Sequence, residues 1–404
     1  MMSLFTNKSF VFLLTTRILT NIADSIFYIV TMWYVVNHFH ASFYTGLVVF
    51  FVTLPEVLLI FFGPIIDRSN PKKLLLYSTA GQLVLILILI QLLQFDWLNI
   101  WILLMIVFMS TSLSAITYPL EETILPQIVE TKYLITANSA LSISYKVLDS
   151  LFNALSGILI ATFTLIHLYE INWVLFLLPL ITIYFMRFSY KGKQHSTYSF
   201  YEYKTDLIEG YHTISTFILK KLLFPLILIN FFGAVNAVAY PYYAKTFDNA
   251  AETYGLILGA IAVGGIIGSF CVNLLQKIDI GKILIFGSLM RGIIWCFLPL
   301  AHSMIVALLL FILASICTGI TNIIYASLIQ TLTPVNVLGR VNATVDTIIT
   351  LAMPLGALFG GLVLEFLNIH LVMSFYGFTS ILIGVIYMKD QQIRTLKTFT
   401  QNSG

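Results

Sequence analysis

Apolar residues in this chain come in runs of about 20 or more, interrupted by short polar breaks, and runs of that length fit helices crossing a bilayer. The pattern predicts twelve such helices. The first six fall at about 10–37, 43–64, 73–94, 98–120, 134–166 and 171–189. After a polar stretch come six more, at about 221–244, 252–275, 282–300, 303–325, 339–366 and 369–388. The sharpest break is Gly63-Pro64-Ile65-Ile66-Asp67-Arg68-Ser69-Asn70-Pro71-Lys72-Lys73, where two prolines predict that helix 2 ends and the chain turns.

Within several predicted helices the polar residues recur every three or four positions, so they share a face. Helix 1 carries Arg17, Asn21, Asp24, Tyr28 and Thr31 in this way; helix 4 carries Ser110, Ser114, Thr117 and Glu121. Helix 5 repeats the pattern with Asn138, Ser142, Tyr145, Asp149, Asn153 and Ser156. In the second half, Asn230, Asn236 and Tyr240 mark helix 7, and Ser315, Thr318, Asn322 and Tyr325 mark helix 10. Lipid does not tolerate such faces, so they point to partner helices or to a water-filled cavity. Ionisable groups at membrane depth narrow the choice, because each costs about 2.5–3.5 kcal/mol on insertion scales and is retained where it has a task. Asp24, Glu56 and Asp149 are therefore the candidate proton-coupling carboxyls. Arg17, Asn21, Tyr28, Ser114, Tyr145, Asn230, Asn236, Tyr240, Asn322 and Tyr325 are the candidate cavity residues. An Arg17–Asp24 ion pair and a local Lys146–Asp149 pair are the alternatives for those groups. Arg291, in helix 9, reads as a structural or gating charge.

Composition agrees with the pattern. At 59% hydrophobic and 10% charged, the chain holds more apolar surface than a water-soluble fold of its length can bury. It is an all-α integral membrane protein. The first apolar run is too long for a cleavable leader and carries Arg17 and Asp24. The three cysteines, Cys271, Cys296 and Cys317, all lie in apolar runs and read as packing residues. The net charge of +3 matters less than its distribution: 17 of the 21 Lys and Arg fall in loops on one side, while Lys245 is alone opposite. That asymmetry places both termini and the Gly63–Lys73 turn in the cytoplasm; a plasma membrane of bacterial type is the expected location.

The polar stretch between helices 6 and 7 divides the chain into a six-helix bundle over 1–190, a linker over 191–220 with a short amphipathic helix at about Phe200–Tyr211, a second bundle over 221–390 and a tail over 391–404. The halves echo each other. Leu125-Pro126 then Ala137-Asn138 in one corresponds to Leu332-Thr333-Pro334 then Asn342-Ala343 in the other, an offset of roughly 205–210 residues.

Gly63-x-x-x-Asp67-Arg68-x-x-x-Lys72-Lys73 resembles the signature loop of the major facilitator superfamily, with Ser69-Asn70-Pro71 departing from its usual glycine and first base. The drug-exporter branch that includes macrolide efflux pumps and the enterobactin exporter is the most similar. Its features appear in Arg17…Asp24, Leu125-Pro126…Ala137-Asn138, Asp206-Leu207-x-Glu209-Gly210 and Gly339-Arg340-Val341-Asn342. The resemblance covers essentially the whole chain. It implies a twelve-helix, two-bundle fold and proton-driven export of hydrophobic or amphipathic small molecules by alternating access, through a monomer. It also implies a cytoplasmic gate of Gly63, Asp67 and Arg68 with Glu121, Glu122 and Arg340. An importer of a sugar or other metabolite, or a lipid flippase, is the alternative on the same fold.

No phosphate-binding loop, metal spacing, serine elbow or dinucleotide fingerprint appears, so neither an enzyme, a cofactor nor a nucleic-acid partner is expected; the proton gradient is the energy source. Gly255-x-x-x-Gly259 and Gly264-Gly265-x-x-Gly268 in helix 8 read as close helix packing.

Overall fold

The computed structural model describes residues 6–39, 41–187, 218–334 and 337–398, with Ile208, Glu209, Tyr211, His212 and Ile214 between them. Side chains at 60–68 and most of those at 142–157 also lie outside the description. The expected amphipathic helix at 200–211 falls almost wholly outside it.

The described chain is all-helical, with twelve long helices and no strand. The first six are α1 Lys8–His38, α2 Ser42–Arg68, α3 Pro71–Gln94, α4 Ile100–Ile128, α5 Leu134–Thr162 and α6 Leu165–Phe185. The second six are α7 Leu219–Ala244, α8 Ala250–Cys271, α9 Ile280–Phe297, α10 Met304–Leu332, α11 Leu338–Phe366 and α12 Ile369–Lys389, followed by the single turn α13 Gln391–Arg394. Among the described residues eleven are long and apolar enough to cross a membrane; α5, only partly described, is the twelfth long helix.

Prolines mark where the pattern misleads. The predicted turn at Gly63–Lys73 shrinks to Ser69–Asn70, because α2 runs through Pro64 to Arg68. Pro71 then takes the first position of α3, where its missing N–H is no loss, and the Asn70 side chain caps the N–H groups of Lys72 and Lys73. Likewise α4 runs through Pro119 and Pro126 to Ile128, beyond the predicted end near 120. In a bundle, neighbouring helices and hydroxyl side chains re-satisfy the carbonyls that a proline frees.

The chain forms two compact units: Met1–His40 with Phe51–Phe200, and Ala41–Phe50 with Tyr201–Gly404. In the first, α1 packs on α5 and α6, and α3 on α4 and α6. In the second, α7 packs on α11 and α12, and α9 on α10 and α12. The same partners recur at a shift of six helices, which is how a duplicated bundle is built. The opening residues of α2 belong to the second unit: Glu365 Oε1 accepts the Ser42 hydroxyl (3.1 Å) and the Phe43 N–H (2.9 Å), and Thr45 meets the Tyr242 hydroxyl at 2.7 Å. Glu365 is thus a cap for the N-terminus of α2.

Glycines set the closest approaches. A Cβ on Gly268 of α8 would stand 2.2 Å from the Ile316 carbonyl of α10, and one on Gly264 would stand 2.4 Å from that of Ile312. The glycine run of helix 8 is therefore a packing seam.

Candidate functional site

The polar face of α1 meets α3 and α4 in the interior of the first unit. Asp24 is held from both sides: Gln82 Nε2 of α3 donates to Oδ1 (3.1 Å) and the Ser114 hydroxyl of α4 donates to Oδ2 (2.6 Å). Two turns away, Arg17 forms an ion pair with Glu121 of α4, and its guanidinium lies 3.6 Å from the centroid of the Tyr118 ring. The Tyr118 hydroxyl donates to Asn21 Oδ1 at 2.6 Å. Ser114, Tyr118 and Glu121 are four and three residues apart, so one stripe of α4 supplies all these contacts.

One alternative is thereby decided: Arg17 pairs with Glu121, not Asp24. Glu121 is fully buried, and the Arg68 side chain of the expected cytoplasmic gate lies outside the described residues. The pairing arises because α4 stays helical through Pro119 and carries Glu121 inward; a buried guanidinium requires a hydrogen-bonded counter-charge, and Glu121 is in reach. Three polar atoms in this layer, Arg17 Nε, Asn21 Nδ2 and Glu121 Oε1, have no described partner, a pattern that fits buried water.

Beside the network is a cavity of about 510 Å³ in the first unit. Asp24, Tyr28, Glu56 and Ser114, candidates from the pattern, line it together with Glu122, which the resemblance assigned to a gate, and with Phe27 and Tyr118. Arg17 and Asn21 lie behind the Tyr118 wall. Thr31, on the same stripe of α1, turns instead to the Tyr169 hydroxyl of α6 (3.0 Å). Gln82 was not singled out in the chain. It sits on the polar positions Ser78, Thr79 and Gln82 of α3, all buried, and a buried amide in so apolar a helix is the signal that marks it. The side chains of Tyr145 and Asp149 lie outside the described residues, as do those of Asp67 and Arg68 and the surroundings of Gly63.

In the second unit the candidates scatter. Asn236 is fully buried with neither amide atom partnered, and Asn230 donates to the Leu226 carbonyl of its own helix at 2.9 Å. Tyr240 packs among the rings of Trp295 and Phe311. Tyr325, 3% exposed, shares a hydrogen bond with the Tyr387 hydroxyl (2.8 Å), so it is a core residue of this unit rather than an open wall. Asn322 is exposed. Arg340 forms an ion pair with Glu209.

Arg291 is the largest fully buried side chain in the described residues. Its Nε donates to Ser380 (3.1 Å) and its Nη1 to Thr321 (3.3 Å), and it lies 5.5 Å from the Tyr376 ring centroid. No acidic side chain among the described residues pairs with it. Outside the spans, the Lys221 ammonium at 2.5 Å holds the Asp390 carboxyl below its usual range, and Lys282 does the same for Asp279.

Among the described residues no group of three or more His, Cys, Asp or Glu side chains is placed to hold a metal. The geometry offers a membrane-embedded carboxyl beside an acidic, aromatic cavity.

Solved structures of similar fold are transporters. The nucleoside transporter NupG superposes with a TM-score of 0.75 at 12% identity, covering 96% of this chain and 100% of that one. A bacterial homolog of the human lysosomal transporter Spinster gives 0.72 at 13% identity, over 98% of both chains. The POT family transporter PepTSo gives 0.70 at 12% identity, over 95% of this chain and 99% of that one. At these identities the likeness is one of fold. No curated protein sequence matches the chain. The transmembrane secretion effector family model matches residues 1–403, so the chain belongs to that family and is a multi-pass membrane transporter of the major facilitator type.

Proposed function

We propose that the chain is a proton-coupled exporter of hydrophobic or amphipathic small molecules, an antibiotic or a siderophore-like metabolite among them. It works by alternating access as a monomer in a plasma membrane of bacterial type, with both termini cytoplasmic. The observation that supports this most is Asp24. It is a membrane-depth carboxyl held by two neutral donors, Gln82 and Ser114, on the wall of the first unit's cavity. No described cation stands against this carboxyl, whereas Glu121 is ion-paired to Arg17.

The energetics suffice. At roughly 150 mV one entering proton supplies about 3.5 kcal/mol, and each decade of concentration gradient costs about 1.4 kcal/mol. A single coupled proton then sustains a gradient of a few hundredfold for a neutral substrate.

The test is substrate-driven proton flux in proteoliposomes. Asp24→Asn should abolish the flux while the variant still inserts at wild-type level; wild-type flux in that variant removes Asp24 from the mechanism. Direction is read separately, from whether energised cells producing the protein exclude or accumulate a labelled ligand. Accumulation would select the importer alternative.

A further inference from the structure

The cavity beside Asp24 has a charge that the transport reading alone does not explain. Three carboxylates, Asp24, Glu56 and Glu122, face one space of about 510 Å³, and no Lys or Arg is among its described lining residues. Among the described residues, Asp24 receives only neutral donors. Glu56 and Glu122 receive no hydrogen bond or ion pair from any described residue. The nearby Arg17 does not offset them, since its charge is already matched by Glu121. Apart from the hydroxyls of Thr111 and Ser114, the rest of the wall is aromatic and aliphatic, with Phe27, Tyr28 and Tyr118 presenting rings. Tyr118 already has a guanidinium 3.6 Å from its ring centroid, which shows that this ring accepts a cation.

A volume of this size suits a drug-sized guest, because ligand sites typically span about 300–1,000 Å³. Three like charges around it repel one another, and two things relieve the repulsion: protons or a cationic guest. We propose that the cavity takes a monovalent organic cation with an apolar, ring-bearing body, which is bound in exchange for protons on these carboxyls. The aromatic rings hold the body and the face of the charge, and the carboxylates supply the long-range preference for positive sign. This deepens the transport reading and rests on its placing the substrate in the first unit's cavity.

Three probes decide it: tetraphenylphosphonium, its near-isostere tetraphenylborate, and the neutral, three-ring triphenylphosphine oxide. Binding is measured to the purified full chain in lipid nanodiscs with no proton gradient present. The phosphonium should bind at least about tenfold tighter than the borate, and its binding should release protons into a weakly buffered solution. Glu56→Gln and Glu122→Gln should each reduce the phosphonium-to-phosphine-oxide affinity ratio, by about threefold to tenfold. Both side chains are exposed, and a monodisperse elution profile checks that the variants fold. Equal or tighter borate binding overturns the proposal, and so does a ratio unchanged in both variants. Because no gradient is used, charge-blind binding would refute the cation class and leave Asp24-coupled flux standing. Lost coupling in the flux assay would leave a measured cation preference standing.

Discussion

The two units share a scaffold and differ in what they bury. In the first, α1, α3 and α4 enclose carboxyls: Asp24 between neutral donors and Glu121 against Arg17. In the second, α9, α10 and α12 enclose a single cation, Arg291, among Thr321, Ser380 and Tyr376. One shift relates the two centres. Moving 209 positions along the chain carries Gln82, the amide that reaches Asp24, onto Arg291, and carries Asp24 itself onto Gly233. The second unit therefore has a donor where the first has one, but among the described residues no acid for it to serve. Helix pairing survives duplication because it depends on long apolar faces, while a polar centre changes with one or two substitutions. The difference suggests a division of labour, with titratable chemistry in the first unit and a rigid core in the second.

The buried ion pair offers the largest effect. Removing one partner of a buried pair leaves an uncompensated charge and costs about 3–5 kcal/mol. Arg17→Ala and Glu121→Ala should each lower unfolding stability in detergent by that order, and the double replacement Arg17→Leu with Glu121→Leu should restore most of it. A small effect of either single change would mean that water reaches the pair and that the first unit's interior is wet. Arg291 should behave differently. Arg291→Met removes two hydrogen bonds but also removes an unpaired charge, and Thr321 retains its bond to the Cys317 carbonyl (3.0 Å). Its stability should stay within about 1.5 kcal/mol of wild type. A loss as large as that of Arg17→Ala would reveal an acid against Arg291 and would break the comparison.

Packing separates the units on a smaller scale. In the second, Gly264 and Gly268 lie against the backbone of α10, with 2.2 Å left for a Cβ at Gly268. In the first, a Cβ at Gly81 would meet only the tip of the Leu113 side chain, at 2.7 Å, and that tip can rotate away. Gly268→Ala should cost about 1–3 kcal/mol, because α8 and α10 must move apart, whereas Gly81→Ala should be near neutral. Equal costs would show that the second unit is no more tightly built than the first. Thermal unfolding of each variant, with wild type as the reference, measures both.

Much of this architecture can be read along the chain. Twelve apolar runs become twelve long helices, and the offset between Leu125-Pro126 and Thr333-Pro334 foreshadows the repeated helix partners. The three-and-four spacing of Arg17, Asn21, Asp24 and Tyr28 correctly puts them on the inner face of α1, and Glu56 and Ser114 do line the cavity. What the spacing does not contain is partnership across helices. Arg17 and Glu121 are 104 residues apart, and only the crossing of α1 with α4 decides that they pair. Gln82 is similar: its role arises from where α3 crosses α1. Pro64, Pro119 and Pro126 mislead for a related reason, since their local tendency to end a helix is overridden by neighbours that satisfy the backbone. Tyr325 matches a cavity pattern, yet its hydroxyl finds Tyr387 on α12.

The weakest expected effect lies at the aqueous edge of the second unit, where Lys221 at the start of α7 pairs with Asp390, which caps the turn after α12. The ammonium holds the Asp390 carboxyl below its ordinary value, so the folded state favours the anion more than the unfolded chain does. The pair's stabilisation is then complete above the ordinary aspartate range and is lost as pH falls through the lowered value. Both groups are solvent-accessible, so salt and water reduce the gain to about 0.5 kcal/mol, and raising the ionic strength should shrink it further. Asp390→Asn should cost that much at neutral pH and nothing at a pH low enough to protonate the wild-type carboxyl. If the change instead cost as much as Gly268→Ala, this outer tie would rank with the glycine seam in holding α7 to α12. The second unit's rigidity would then have an electrostatic part that its buried centre does not show.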